Sequence, residues 1–260
     1  IMWECLRPAR YCLAAILVVL ISACGGGGGG GGGNSNPRTP SPIEPVVEPN
    51  PYFPTDSALR WTYRDASNIS SEMTTRVLAP VSLGGEKVHP LLYPTGGKEY
   101  YIVSPQQIRL KGLFLPQVQV NGVNYTADLV FNDPLVLLDN AWKSSQTTPV
   151  STAGTAIVPG LSREFPISVQ GWAEYLGNYP SDAPAIGQYY GQWVRIHIII
   201  DVNLGDTSFG FAYFVEYRLG ENLGIVSRTQ DWLTLELAAF NGPDRDGDNM
   251  PDLLDQFPDN

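Results

Sequence analysis

The chain is poor in the residues that most often carry chemistry. Its 260 residues include three cysteines and two histidines. Cys5 and Cys12 fall in a leader segment described below, which leaves Cys24 to the rest of the chain; one thiol builds neither a disulfide framework nor a Cys-based zinc site. A Ser-His-Asp device would have to pass through His89 or His197, and neither sits in a turn motif that exposes a nucleophile. A GxSxG elbow, an HExxH helix and a Walker loop are all missing. Charged residues make up 16% of the chain, with 16 Lys and Arg against 26 Asp and Glu, for a net charge of −10. That sign argues against nucleic acid and anionic lipid surfaces as partners. Beyond the leader, no segment sustains a helical period over ten residues.

What is present begins with a leader. Arg7 and Arg10 form a basic region before the apolar run CLAAILVVLI, which is too short to span a bilayer as an ordinary helix and reads as a cleavable export signal. The run ends in Ile21, Ser22, Ala23 and Cys24, small residues before a cysteine, which resembles the lipobox of bacterial lipoproteins. The resemblance implies cleavage before Cys24 and acylation of that residue, so that residues 1–23 are signal peptide and the membrane is a partner through lipidated Cys24. Gly25 rather than an aspartate follows the cysteine, which by the same resemblance implies the outer membrane of a bacterial envelope. Residues 24–51 then form a linker, flexible through the nine glycines of Gly25 to Gly33 and stiffer through PRTPSPIEPVVEPNP.

From Tyr52 the pattern changes to short runs of aromatic and β-branched residues punctuated by Gly, Pro, Asn and Asp. Candidate strands are 59–65, 72–78, 99–103, 107–115, 117–120, 123–131, 165–175, 193–202, 208–218, 224–230 and 232–240. Asn121-Gly122 predicts a tight type I′ hairpin between two of them. In WVRIHIIIDV, Val194, Ile196, Ile198 and Ile200 share one face, the expected core face, while Arg195 and His197 share the other. Roughly ten or more strands without intervening helices predict an all-β domain over residues 52–241, an antiparallel curved sheet or a barrel or half-barrel.

The opening YFPTDSALRWTY resembles the YFPL…G..WtY start shared by many bacterial lipoprotein and surface domains, and YRLGENLGIVSRTQ is similar to the aPGvGlVk strand with which they finish. The resemblance implies an antiparallel barrel or half-barrel and no established activity. It departs at two turns: Ala58-Leu59 stands where the family carries Gly, and Glu221-Asn222 where it carries Pro-Gly. Phe53, Trp61 and Tyr63 read as core aromatics that fasten the first strand.

Two stretches carry candidate sites. Trp172, Tyr175, Tyr179, Tyr189, Tyr190 and Trp193 crowd a region that reads as loop-rich, where aromatic rings would stack on a glycan or line a pocket for an apolar ligand, or cap the β core. Glu174 and Glu216 would make a glycosidase pair only if they shared a cleft; solvated charges are the plainer reading. The second stretch is DRDGDNMPDLLD. Asp244, Asp246, Asp248, Asp252 and Asp255 take loop positions 1, 3, 5, 9 and 12, and Met250 at position 7 offers its carbonyl, a spacing that turns hard oxygen ligands onto one calcium ion. Asn249 replaces the usual turn glycine at position 6 and tolerates a left-handed conformation. Residues 242–260 resemble a thrombospondin type 3 repeat of bacterial surface proteins, present here as a single copy. The sequence therefore predicts a calcium-binding envelope lipoprotein without enzymatic activity, whose β domain binds a protein, a glycan or an apolar small molecule. The alternatives are a carrier for an apolar ligand in an open barrel and a carbohydrate-binding or carbohydrate-active module.

Overall fold

The computed structural model describes residues 50–120, 123–161, 163–183, 187–205, 208–230 and 233–241. Cys24 and its lipobox, nearly all of the linker, the Asn121-Gly122 turn and the calcium-loop residues 244–255 lie outside them.

Thirteen strands make one antiparallel sheet. They are β1 (Arg60–Asp65), β2 (Asn68–Val77), β3 (Val81–Leu83), β4 (Glu86–Leu92), β5 (Lys98–Val103), β6 (Gln107–Val120), β7 (Val123–Asp139), β8 (Gln146–Val158), β9 (Arg163–Ala183), β10 (Gly187–Asn203), β11 (Ser208–Gly220), β12 (Gly224–Gln230) and β13 (Leu233–Asn241). A single 3-10 turn, Pro159–Leu161, joins β8 to β9. From β4 onward every strand pairs with the next, β13 pairs with β1, and β2 pairs with β4 through Arg76↔Leu92 and Val77↔Leu91, so the sheet closes into a ring. The choice the sequence left open, a curved sheet or a closed one, falls to the ring.

Period-2 alternation explains which side faces the lumen. Val194, Ile196, Ile198 and Ile200 of β10 are buried as expected, as are Phe165, Ile167 and Val169 of β9 and Tyr213, Val215 and Tyr217 of β11. Between them Ser168, Gln170, Glu174, Arg195 and Asp201 point outward. The inner face is apolar, whereas the interior of a membrane-spanning barrel is polar.

Several strands run further than their apolar patterning. The segment from Trp172 to Trp193 is not loop-rich: it is the paired core of the β9–β10 hairpin, continuous from Gly187↔Ala183 to Val202↔Ile167. Gly and Pro read as loop signals there, but a bulge beside Trp193 absorbs the irregularity and the cross-strand ladder carries through. Strand β6 likewise runs through Pro116, at a register shift between Leu115 and Val118. Strand β8 (QTTPVSTAGTAIV) was not among the candidates; its small and polar residues resemble a loop, yet it pairs with β9 along its whole length. The expected hairpin is present, since β6 and β7 pair up to Val120↔Val123.

Strand length is uneven around the ring. Strands β6 to β11 run 13 to 21 residues, whereas β1 to β5, β12 and β13 run 3 to 10. On one flank β5 ends at Lys98↔Phe114, leaving residues 115–120 of β6 beyond it, a rise of roughly 20 Å. On the other flank β12 ends at Gln230↔Val215, leaving 208–214 of β11 beyond. The long strands thus project as a curved wall at one end of the ring.

The opposite end is plugged. Asn50 donates to the carbonyls of Ser104 and Pro105 at 3.0 and 3.3 Å, the Asn222 amide donates to Pro51 O at 2.6 Å, and the Phe53 ring packs on Tyr101 at 4.6 Å. Phe53, Pro54, Trp61, Tyr63, Leu91 and Ile225 leave a void of only about 10 Å³ between them, room for one water at most. Strand β13 finishes at this same end, with Asn241 opposite Arg60.

Candidate functional site

The lumen divides into three levels: the plug, a polar layer above it, and a cavity inside the projecting wall.

The polar layer is a buried ion pair in a cage of tyrosines. Glu99 of β5 and Arg228 of β12 meet at 2.8 Å, and because β5 and β12 are not neighbours in the sheet, the contact crosses the lumen. Three phenols donate to the Glu99 carboxylate: Tyr93 and Tyr101 at 2.5 Å and Tyr213 at 2.6 Å. Tyr217 shares a 2.8 Å hydrogen bond with Tyr213, and the Arg228 guanidinium lies 4.7 Å from the Tyr93 ring centre. Burial alone would push the Glu99 carboxyl up, but Arg228 and the three phenols overcome it and hold the group below its ordinary value. The same burial, with Glu99 beside them, raises Tyr93, Tyr101 and Tyr213 well above the usual phenol range. No sequence signal marked this layer. Glu99 stands in an ordinary strand, KEYYIV, and its partner lies 129 residues away.

Above the cage a cavity of about 420 Å³ opens against the inner face of the wall. Its buried floor is Ala127 and Leu129 of β7, Ala156 and Val158 of β8, Phe165 of β9 and Val202 of β10. Alanines at two lumen-facing positions leave space where larger side chains close the ring lower down. Leu115, Val118, Val123 and Leu161 extend the apolar lining toward the rim. The polar side chains in the lining are the Tyr125 phenol and the guanidinium of Arg163. Arg163 is exposed and has the inward parity of Phe165 and Ile167; its guanidinium lies 5.2 Å from the Phe165 ring centre. The volume falls within the range of small-molecule sites, roughly 300 to 1,000 Å³.

The six aromatics expected to bind a ligand do not line this cavity and do not share a face. Tyr175 points into the lumen at the plugged end, its hydroxyl donating to Gln192. Tyr189 is half-buried against the core, and Tyr190 is 68% exposed. Trp172 and Trp193 lie on the outer wall. There the registers of β9, β10 and β11 build cross-strand rows: Trp172, His197 and Phe214 form one, with ring centres 4.9 and 3.6 Å apart. In the next row Arg195 bridges Glu174 at 3.2 Å and Glu216 at 3.1 Å. The two carboxylates that would have made a glycosidase pair thus flank one guanidinium on a convex surface. In the row after that, Arg218 covers one face of Trp193, 4.8 Å from the ring centre, and Tyr179 meets the same indole edge-on at 5.6 Å.

Among the described residues no group of three or more His, Cys, Asp or Glu side chains is placed to hold a metal, and the six residues expected to bind calcium are outside them.

No protein-family model matches the chain, and no curated protein matches it. Two solved structures are similar to it. One is of a lipoprotein candidate from Parabacteroides distasonis, 12% identical, with 74% of this chain and 99% of that one covered at a TM-score of 0.41. The other is of an exported-protein candidate with a YmcC-like fold from Bacteroides fragilis, 15% identical, with 73% and 98% covered at a TM-score of 0.43.

Proposed function

We propose that this chain is a lipid-anchored protein of a bacterial envelope, without enzymatic activity, whose β ring holds an apolar small molecule in the cavity beside Arg163. The observation that carries the reading is the arrangement of the lumen: plugged at one end, crossed by a satisfied polar layer, and hollow and apolar at the other. A ring needed only as a scaffold would fill its interior to close packing throughout, since each void forfeits contacts. Reaction chemistry finds little purchase in the cavity, whose wall offers one phenol and one guanidinium and no acid and base pair.

Lipid anchoring rests on the ISAC lipobox and Cys24, the outer membrane on Gly25 following the cysteine, and calcium binding on the aspartate spacing of residues 244–255. The apolar lumen agrees with attachment by acyl chains rather than by the barrel itself.

The test is titration of purified protein with a neutral solvatochromic dye, Nile red. Saturable fluorescence enhancement is expected, lost on Ala156→Phe, which fills the cavity, and retained on Trp172→Ala, which alters the outer wall. Enhancement that survives Ala156→Phe and vanishes with Trp172→Ala would move the binding site to the outer aromatics and overturn the reading.

A further inference from the structure

The shape and charge of this cavity specify more than an apolar guest. Among the described residues no carboxylate lies within ion-pair distance of Arg163 and nothing accepts a hydrogen bond from it; its one contact is the Phe165 ring. Of the other cations near the lumen and the long wall, Arg228 pairs with Glu99, Arg195 with Glu174 and Glu216, and Lys111 with Glu86 at 2.8 Å, while Arg218 and Lys98 lie over aromatic rings away from the cavity lining. In a chain of net charge −10, a lone guanidinium at the mouth of an apolar cavity is a local reversal of sign. The guanidinium lies over the Phe165 ring, and among the described residues its N–H groups have no acceptor, which leaves donors of the kind that take a carboxylate through two parallel hydrogen bonds.

We propose that the cavity takes a single-chain amphiphile with a monoanionic head of the carboxylate class, its tail against Ala127, Leu129, Ala156 and Val202 and its head on Arg163. This deepens the apolar-ligand reading and rests on it. One cation compensates one negative charge, so a dianionic phosphate monoester would be left half-neutralised beside an apolar rim formed by Val123 and Leu161. About 420 Å³ lies near the small end of ligand sites, which suits one chain rather than the two of a phospholipid.

The experiment is displacement of Nile red from the full-length chain by four competitors below their critical micelle concentrations: laurate, its methyl ester, dodecyltrimethylammonium and a soluble diacyl phosphatidylglycerol. Laurate is expected to displace the dye at a concentration roughly tenfold or more below the ester and the cation, the size of one charge-assisted contact. Arg163→Ala should erase that preference while leaving the ester's midpoint in place, and Arg163→Lys should restore part of it. Equal midpoints for laurate and its ester on the unaltered protein would overturn the anionic head while leaving the cavity reading intact. A diacyl lipid competing as well as laurate would overturn the single chain. Failure of the dye to bind at all would strike the cavity reading instead. The comparison among competitors needs no substitution, so it does not depend on any variant folding.

Discussion

Trp61 and Leu223, 162 residues apart in the chain, are joined by a 2.6 Å hydrogen bond from the indole nitrogen to the backbone carbonyl. Two strand positions further on, Tyr63 repeats the device on Ile225 O at 2.7 Å. These are residues of the opening and closing motifs described above, and the contact shows why two short segments at the ends of the domain would go together: they seal one end of the ring. Trp61→Phe keeps an aromatic in the plug but strands a buried carbonyl. It should lower stability by ~1–3 kcal/mol in urea unfolding. Tyr63→Phe should cost a similar amount; an unchanged midpoint for both would mean that the plug does not depend on these bonds.

The closing motif departs at Glu221-Asn222 from the Pro-Gly of the motif it resembles, and the backbone shows how the turn survives. Asn222 sits at φ 60°, in the left-handed region that favours glycine and that asparagine tolerates. Asn222→Gly should leave stability within about 0.5 kcal/mol, whereas the β-branched Asn222→Val should lose ~1–2 kcal/mol, measured by the same unfolding titration.

The Glu99–Arg228 pair makes a stronger prediction with a pH signature. Removing one partner leaves a buried charge uncompensated, so Glu99→Gln and Arg228→Met should each cost ~3–5 kcal/mol, against less than about 1 kcal/mol for breaking the half-exposed Arg195 bridges. Because folding lowers the Glu99 carboxyl, its contribution is in place above the unfolded group's value and is lost as pH falls through the folded one. The phenols run the other way: folding raises them, so their contribution holds below about pH 10 and fades on the alkaline side. Unfolding free energy measured across pH should show both limbs in the wild type and a flattened acid limb in Glu99→Gln.

What the sequence made legible follows period and composition. The Val194 to Ile200 face, the aromatics Phe53, Trp61 and Tyr63, and the Val120↔Val123 hairpin could be read because local spacing or turn chemistry fixes them. Strand β8 could not: Thr, Ser, Gly and Ala offer little burial, and only its neighbours give it strand geometry. The cavity and the tyrosine cage were hidden for a different reason. Both are properties of lumen-facing residues drawn from strands that are distant in sequence. The length mismatch between long and short strands that opens the cavity becomes visible only once pairing ends are known.

A joint in the wall gives a sharp test of that pairing. Strand β7 meets β8 through only Asp128↔Ile157, Leu129↔Ala156, Val130↔Thr155 and Phe131↔Gly154. Glycines press on this short stretch from both sides: a Cβ on Gly112 would lie 2.1 Å from Leu129 O, and one on Gly154 would lie 2.1 Å from Val130 O. Neither contact can be relieved by a side-chain rotation. Gly112→Ala and Gly154→Ala should therefore each destabilise by ~1–3 kcal/mol, while Ser151→Ala, exposed on the same β8 strand, stays within about 0.5 kcal/mol. Hydrogen exchange should show the amides of β7 and β8 opening ahead of those of β10 in the glycine variants.

The last prediction concerns how the two ends of the ring communicate. Strand β13 leaves toward the calcium-loop residues from the plugged end, where Asn241 faces Arg60, and the cavity lies at the far end behind the Glu99 layer. None of the described residues that line the cavity belongs to the chain beyond β13. Calorimetric titration should give one binding event with a dissociation constant on the order of 0.1 to 1 mM, abolished by the paired change Asp246→Ala and Asp248→Ala. At 10 mM calcium, mass action at that affinity would add ~1.4–2.7 kcal/mol to the stability of whatever the bound loop is coupled to. Nile red affinity, by contrast, should be the same with calcium and with chelator. A dye midpoint that moves with calcium would mean the plug and the cavity are linked through the tyrosine cage, and Glu99→Gln would then be expected to break that link.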